Sequence, residues 1–195
     1  DIHNSTAKLM YSTEEVSSEQ RRIDKILNFG VLYGLGPHGV SQQTDLTRQQ
    51  GKEFIDLYFG KYPGIKDFQK EQINSSKYKG YSETLLGRRR YLEDINSPNA
   101  RVRGFAERIA INMPIQGTAA EIIKIAMINL GKELRKNLMK SKMLIQVHDE
   151  LIFEVAPGEL MELSMMINEI MPSAIKLDVP VLVDIKTGDS WGKLE

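Results

Sequence analysis

The hydrophobic pattern changes period about two-thirds of the way along this 195-residue chain. In the first part, apolar residues recur at the three- and four-residue spacings of amphipathic helices, as Phe54, Leu57 and Tyr58 do. Breakers and caps divide that region. A short helix is expected over Thr6–Tyr11, and Ser17 or Ser18 can cap a second that ends at the Gly34–Gly39 stretch with Pro37. A short helix follows over Val40–Thr44, Thr47 caps another to about Tyr62, and Ile65–Lys79 begins beyond Pro63-Gly64. Gly80 opens a hairpin-like stretch, Tyr81–Leu86 and Arg89–Leu92, with Gly87 near its turn. Ala100–Leu138 is periodic but carries Pro114 and Gly117, and Thr118 with Glu121 forms a capping-box pattern, so a kink or restart is expected there.

The end of the chain reads differently. Lys142–Val147 and Leu151–Val155 are apolar, β-favouring runs separated by His148-Asp149-Glu150, a hairpin signal. A helix over about Glu159–Ile170 and a last strand, Val179–Lys186, complete a strand–turn–strand–helix–strand order. That order predicts a small antiparallel sheet backed by helices, and an α+β fold for the chain as a whole. With no repeat and no low-complexity linker, the domain boundary is soft and falls near Arg101–Pro114.

Composition adds three constraints. A hydrophobic content of 41% supports a core for one large or two small domains. Lys+Arg 26 against Asp+Glu 26 leaves no net charge, so bulk charge points to no nucleic-acid partner. The distribution is uneven: Lys77–Arg108 holds eight basic residues against four acidic ones, and Asp149–Ile175 holds six carboxylates and no Lys or Arg. Such a pair of regions suits a polyanion track beside a metal site, although ordinary surface variation could produce either one. Zero cysteines rules out disulfides, thiolate metal sites and cysteine nucleophiles, and agrees with a reducing cytosol. No apolar run approaches the roughly 20 residues of a membrane span, and no secretory signal opens the chain. Asp1 in place of an initiator Met suggests a piece of a larger protein, and Leu194-Glu195 could be native or a cloning remnant.

The second helix carries the most informative pattern. Arg21, Lys25, Phe29 and Tyr33 follow one another at i, i+4 steps. Each step overshoots a turn by about 40°, which keeps the four within a stripe roughly 120° wide and 18 Å long. One end is cationic and the other aromatic, the same polarity as a nucleoside triphosphate. An amphipathic core helix with buried aromatics and solvated cations has the same periodicity.

Other constellations are weaker. Asp149 and Glu150 beside His148 are either a hairpin tip or part of a Mg²⁺ ligand set, and a paired-metal site needs carboxylates from a second element that this chain lacks. Arg108, Asn112 and Gln116, at i, i+4 and i+8, could follow a duplex minor groove or form a solvated polar face. Gly34, Gly36 and Gly39 match G-x-G-x-x-G, with Asp56 twenty residues beyond Gly36. The absence of a preceding strand and of βαβ alternation argues against a dinucleotide-binding turn.

Arg21–Gly34 also resembles the R-x-x-x-K-x-x-x-F-G-x-x-Y-G signature of family A DNA polymerases, the bacterial DNA polymerase I type. Asp1-Ile2-His3, Glu83–Tyr91, Asn112–Ala120, Gln146–Glu150 and Gly188–Trp191 resemble the same family in the same order, so the likeness covers essentially the whole chain. It implies a mainly helical fingers subdomain over 1–105 and the C-terminal part of a palm over 106–195. It implies that Arg21 and Lys25 bind the incoming triphosphate, with Lys25 counted among the catalytic residues, and that His3 lies near the phosphates. Phe29 would pack on sugar and base, and Tyr33 and Gly34 would sit where the templating base enters. Arg108, Asn112, Gln116 and His148 would contact the primer–template end. Asp149, with Glu150 beside it, would be a catalytic metal ligand in an enzyme using two Mg²⁺ ions. Asp24 and Ile26 depart from the small residues usual in the signature, and the stripe places them facing away from it.

The family's other catalytic aspartate would lie upstream of Asp1, as would the thumb and any nuclease domain. The expected partners are therefore dNTPs, primer–template DNA and those upstream domains, in the bacterial cytoplasm at the nucleoid, with no membrane. The 195 residues alone are expected to be inactive and, with an exposed sheet edge, prone to self-association. A non-catalytic nucleotide- or duplex-binding module is the alternative, and a dinucleotide-dependent oxidoreductase the remote one.

Overall fold

A computed structural model describes residues 17–194. His3, the Thr6–Tyr11 segment and Glu195 lie outside the described residues, as does the side chain of Asp24. The chain divides into two compact units between Ile115 and Gln116. The architecture is α+β, with two separate two-stranded antiparallel sheets among predominantly helical structure in the described residues. No helix among the described residues is long and apolar enough to cross a membrane.

In the first unit, α1 (Ser18–Leu32), α2 (Pro37–Gln43), α3 (Arg48–Lys61) and α4 (Pro63–Lys79) follow one another through short turns. Leu27 and Val31 of α1 pack with Val40, Phe54 and Tyr58 into a buried cluster. The i, i+4 pairs 27/31 and 54/58 put these side chains on one face of each helix, whereas Leu57 is exposed. Thr47 starts α3 with a reciprocal cap: its hydroxyl accepts from the Gln50 N–H, and the Gln50 side chain accepts from the Thr47 N–H. Beyond α4, β1 (Tyr81–Glu83) and β2 (Arg89–Tyr91) pair antiparallel, with Gly87 turning the chain at φ +83°.

The restart allowed for near Pro114 and Thr118 does not occur. α5 (Ala100–Lys136) is one helix containing Pro114, and the Thr118–Glu121 pattern lies buried inside it. Proline lacks the N–H that would reach the carbonyl four residues back, which here belongs to Ala110. The Ser82 hydroxyl takes that role, donating to the Ala110 carbonyl at 3.0 Å from a buried position on β1. The break is offset by a hydrogen bond from 28 residues away in sequence, which helical periodicity cannot reveal. Ser82→Ala should leave a buried carbonyl unpaired and cost the first unit about 1–3 kcal/mol in urea unfolding, with Ser82→Thr retaining most of it.

In the second unit, the C-terminal half of α5 contributes Leu130 and Leu134 to a core shared with Leu163, Met166 and Ile167 of α6 (Leu160–Ile170). Strands β3 (Lys142–Val147) and β4 (Glu150–Glu154) add Met143, Leu151 and Phe153, with a register shift between Met143 and Ile145. No strand forms over residues 179–186. Val183 and Ile185 do pack on the core while Leu182 is exposed. Side-chain packing holds this segment on the core without the backbone ladder of the expected strand.

Glu159 closes this unit. Its carboxylate accepts from the Lys140 N–H and from the Ser141 N–H and hydroxyl at 2.9, 2.9 and 2.6 Å, and the Ser141 hydroxyl accepts from the Ala156 N–H. The Lys140 backbone donor first, then Ser141, holds the Glu159 carboxyl below the ordinary glutamate value of 4.5. A depressed folded-state pKa stabilises above the unfolded value, and that contribution disappears as pH falls through the folded one. Acidification through that lowered folded value should therefore unprotect the Lys140 and Ser141 amides in hydrogen exchange. Glu159→Gln should remove that pH dependence.

Candidate functional site

The sequence of α1 gives it two unlike faces. Leu27 and Val31 turn into the core, while Lys25, Ile26, Phe29, Gly30 and Tyr33 line a cleft of ≈480 Å³ together with Leu35, Gln43 and Arg108. This volume is within the range of roughly 300–1,000 Å³ typical of small-molecule sites. Phe29 and Tyr33, one turn apart, stack with ring centroids 6.3 Å apart and planes 16° from parallel. Phe29 stays 43% exposed, so the stripe is not a core face. Lys25 on α1 and Arg108 on α5 supply cations, and among the described residues none of the lining is acidic. An anionic ligand with a flat apolar end matches this lining in both charge and shape.

Glycines at three positions shape the rim. Gly34 has φ +84°, and the Leu35 and Gly34 N–H groups donate back to the Gly30 and Val31 carbonyls, which closes α1 with a left-handed cap. Leu35 lies across Gly30, where a Cβ would come within 2.6 Å of it, and against Gly39. The Gly34–Gly39 glycines thus serve a helix end and a close side-chain approach. The segment lies between two helices, with α1 rather than a strand directly before it, and Asp56 is exposed within α3, so the dinucleotide-binding arrangement is not formed.

Of the residues singled out in the sequence, Lys25, Phe29, Tyr33 and Arg108 come together. Arg21 is on the same helix but does not line the cleft. Gly34 packs against α5: a Cβ there would lie 3.0 Å from Ile111 Cδ1 and 3.4 Å from Arg108 Cγ. Ile26 corrects the expectation that it faces away from the stripe. It lines the cleft because 26, 29, 30 and 33 also share a helical face. Leu35 and Gln43 were missed, and the only hint of Leu35 was its flanking glycines. Asn112 and Gln116 follow Arg108 along α5, with Gln116 exposed; Asn112 Oδ1 is buried without a hydrogen-bond partner among the described residues.

The basic stretch is less free than its charge suggested. Lys77 pairs with Glu107 at 2.7 Å, Lys79 and Arg89 both pair with Glu83, and Arg103 donates to the Ser97 carbonyl. Lys79 first, then Arg89, holds the Glu83 carboxyl below its usual range. Arg89 also lies over the Tyr81 ring at 4.5 Å.

In the second unit, Val147 pairs with Glu150, which leaves His148 and Asp149 as a two-residue turn. His148 sits at φ +53°, and its carbonyl accepts from Gln146 Nε2 at 3.0 Å. A left-handed non-glycine residue costs roughly 1–3 kcal/mol, so this turn is held by its surroundings. Asp149 and Glu150 are exposed there, and no three metal-ligating side chains converge among the described residues. Two neighbouring carboxylates can supply part of the oxygen shell Mg²⁺ prefers, with water and phosphate oxygens as the remainder.

A family model described as DNA polymerase family A matches residues 1–193. DNA polymerase I of Streptococcus pneumoniae is 47% identical over 98% of the chain, which covers 22% of that relative. DNA polymerase I of Geobacillus stearothermophilus is 46% identical over 98% of the chain and is likewise covered over 22% of its length. The POL domain of Pol1 from M. smegmatis, solved in complex with DNA primer-template and dNTP, superimposes with TM-score 0.92 at 41% identity, over 98% of this chain and 34% of that one. The chain thus spans about a fifth of the length of these curated relatives.

Proposed function

Because the chain belongs to DNA polymerase family A, we propose that it is the nucleotide- and duplex-handling portion of a DNA-directed DNA polymerase. The observation that carries this reading is the cleft itself, in which stacked Phe29 and Tyr33 share a lining with Lys25 and Arg108 and no acidic side chain lines it among the described residues. Lys25, with Arg21 a turn away and His3, would hold the triphosphate of an incoming dNTP. Phe29 would pack on its sugar and base, and Tyr33 with Gly34 would meet the templating base. Arg108, Asn112, Gln116 and His148 would hold the primer–template end. The first unit would be the fingers and the second the C-terminal part of the palm, in a bacterial cytoplasmic enzyme.

In the proposed reaction, the primer 3′-hydroxyl oxygen attacks the dNTP α-phosphorus and gives up its proton to solvent, a new phosphodiester forms, and the bond to the β-phosphate breaks to release pyrophosphate. Asp149, with Glu150 beside it, would hold Mg²⁺, which when bound supplies Lewis acidity to the phosphate oxygens. This chain's own groups orient the reactants. Lys25 neutralises the departing pyrophosphate's charge, and the Phe29 ring fixes the sugar. The family resemblance assigns a second aspartate outside these 195 residues, so the chain alone would bind without catalysing.

An extension assay tests this directly. The 195-residue chain, freed of host polymerase, should bind Mg²⁺–dNTP and primer–template weakly and extend no primer. Template-directed synthesis that disappears in Asp149→Ala would show that the second aspartate is dispensable.

A further inference from the structure

We propose that Gln69 is a positioning residue for the nucleotide cleft: its side-chain amide clamps the end of α1 and so sets where Tyr33 stands relative to Arg108. This rests on the reading of the cleft as a nucleotide site.

A helix ends with carbonyls that have no intrahelical donor. At the end of α1, the Phe29, Gly30 and Val31 carbonyls accept from the Tyr33, Leu35 and Gly34 N–H groups. The cap does not serve the Leu32 carbonyl. Gln69, in the second turn of α4, donates from Nε2 to the Val31 carbonyl at 2.7 Å and to the Leu32 carbonyl at 3.0 Å. Two carbonyl acceptors on one atom require an NH₂ group, since an oxygen there would face two oxygens. The contact joins residues 37 and 38 positions apart, and it falls immediately before Tyr33.

The other side of this corner is held as well. Gly34 lies against Ile111 and Arg108 of α5, so closely that a Cβ would be 3.0 and 3.4 Å from them. The Tyr33–Gly34 corner is therefore fixed between Gln69 of α4 and Arg108 of α5. Tyr33 and Arg108 both line the cleft and Gln69 does not. A shift of the corner would change the Phe29–Tyr33 stacking and the reach of Arg108 together, and small misplacements of binding groups are costly. Gln69 would thus act on the ligand only through the helix end that it holds.

Gln69→Met tests this in the full 195-residue chain, because Met is similar in length and helix propensity but has no donor. Gln69→Lys restores donors and adds a charge suited to a helix C-terminus. The readouts are hydrogen exchange at the Gly34 and Leu35 amides and the dissociation constant of Mg²⁺–dATP. Gln69→Met should speed exchange at those amides while core amides such as Val40 and Phe54 are unchanged, and should weaken nucleotide binding about threefold to tenfold. Gln69→Lys should return both toward the original values. Unchanged nucleotide affinity in Gln69→Met, or loss that Gln69→Lys does not recover, would overturn the positioning role. If Gln69→Met does not fold, Gln69→Lys alone decides: binding within about twofold of the original supports the clamp, and loss beyond about tenfold overturns it. Failure of the unsubstituted chain to bind Mg²⁺–dATP would overturn the nucleotide reading and the positioning role with it. The exchange measurement distinguishes that result from failure of the clamp.

Discussion

Replacing Asp149 with alanine in a polymerase carrying these 195 residues should slow primer extension about a thousandfold or more. The expectation follows from how the carboxylate is held. The Val147–Glu150 pair leaves a turn of two residues, and Gln146 grips the His148 carbonyl, so Asp149 is presented on a short, fixed hairpin rather than a loose loop. A carboxylate held this way can keep a Mg²⁺ ion at one position relative to phosphate oxygens. The Lewis-acid contribution of such an ion is several multiples of the 1.4 kcal/mol that changes a rate about tenfold. Glu154→Ala, at the other end of β4 and also exposed, is the control and should have little effect. Single-turnover incorporation at saturating dNTP measures both. A loss under tenfold for Asp149→Ala would place the essential ligand elsewhere.

Lys25→Ala should reduce incorporation efficiency about tenfold or more, the fold-change of a lost charge-assisted hydrogen bond to phosphate. Lys25 is exposed at the cleft, so the deficit should shrink as ionic strength rises and the original contact is screened. Lys52 on α3 is equally exposed but does not line the cleft, and Lys52→Ala should leave efficiency unchanged. Equal losses for the two would mean that bulk charge, rather than the placement of Lys25, attracts the nucleotide.

Much of this was legible in the sequence because the signals are local. Thr47 as a cap, Pro63-Gly64 as the break between two helices, Gly80 and Gly87 around the first hairpin, and the apolar runs on either side of His148-Asp149-Glu150 each act over a few residues. The elements formed within a few residues of where they were expected: the helix read from Ile65 begins at Pro63, and Glu150 belongs to β4. The Lys25–Phe29–Tyr33 stripe was legible for the same reason, since one helix presents it. What stayed hidden depends on partners distant in sequence. Pro114 reads as a break until Ser82 is seen donating to Ala110. Val183 and Ile185 read as strand residues, yet they pack on the second unit's core without a backbone ladder. Ile26 was assigned to the wrong face because the i, i+4 stripe was followed without its i, i+3 neighbours, and Gln69 carries no local signal at all.

The central claim is that the Lys25–Phe29–Tyr33–Arg108 cleft takes a deoxynucleoside triphosphate. Titration of the 195-residue chain with Mg²⁺–dNTP, followed by NMR and repeated with NAD, measures this most directly. The expected result is saturable shifts at Phe29, Tyr33 and Arg108 that pyrophosphate displaces, that weaken in Lys25→Ala and that NAD does not reproduce. Tight binding of NAD without dNTP binding, or dNTP-induced shifts confined to residues outside the cleft, would contradict it.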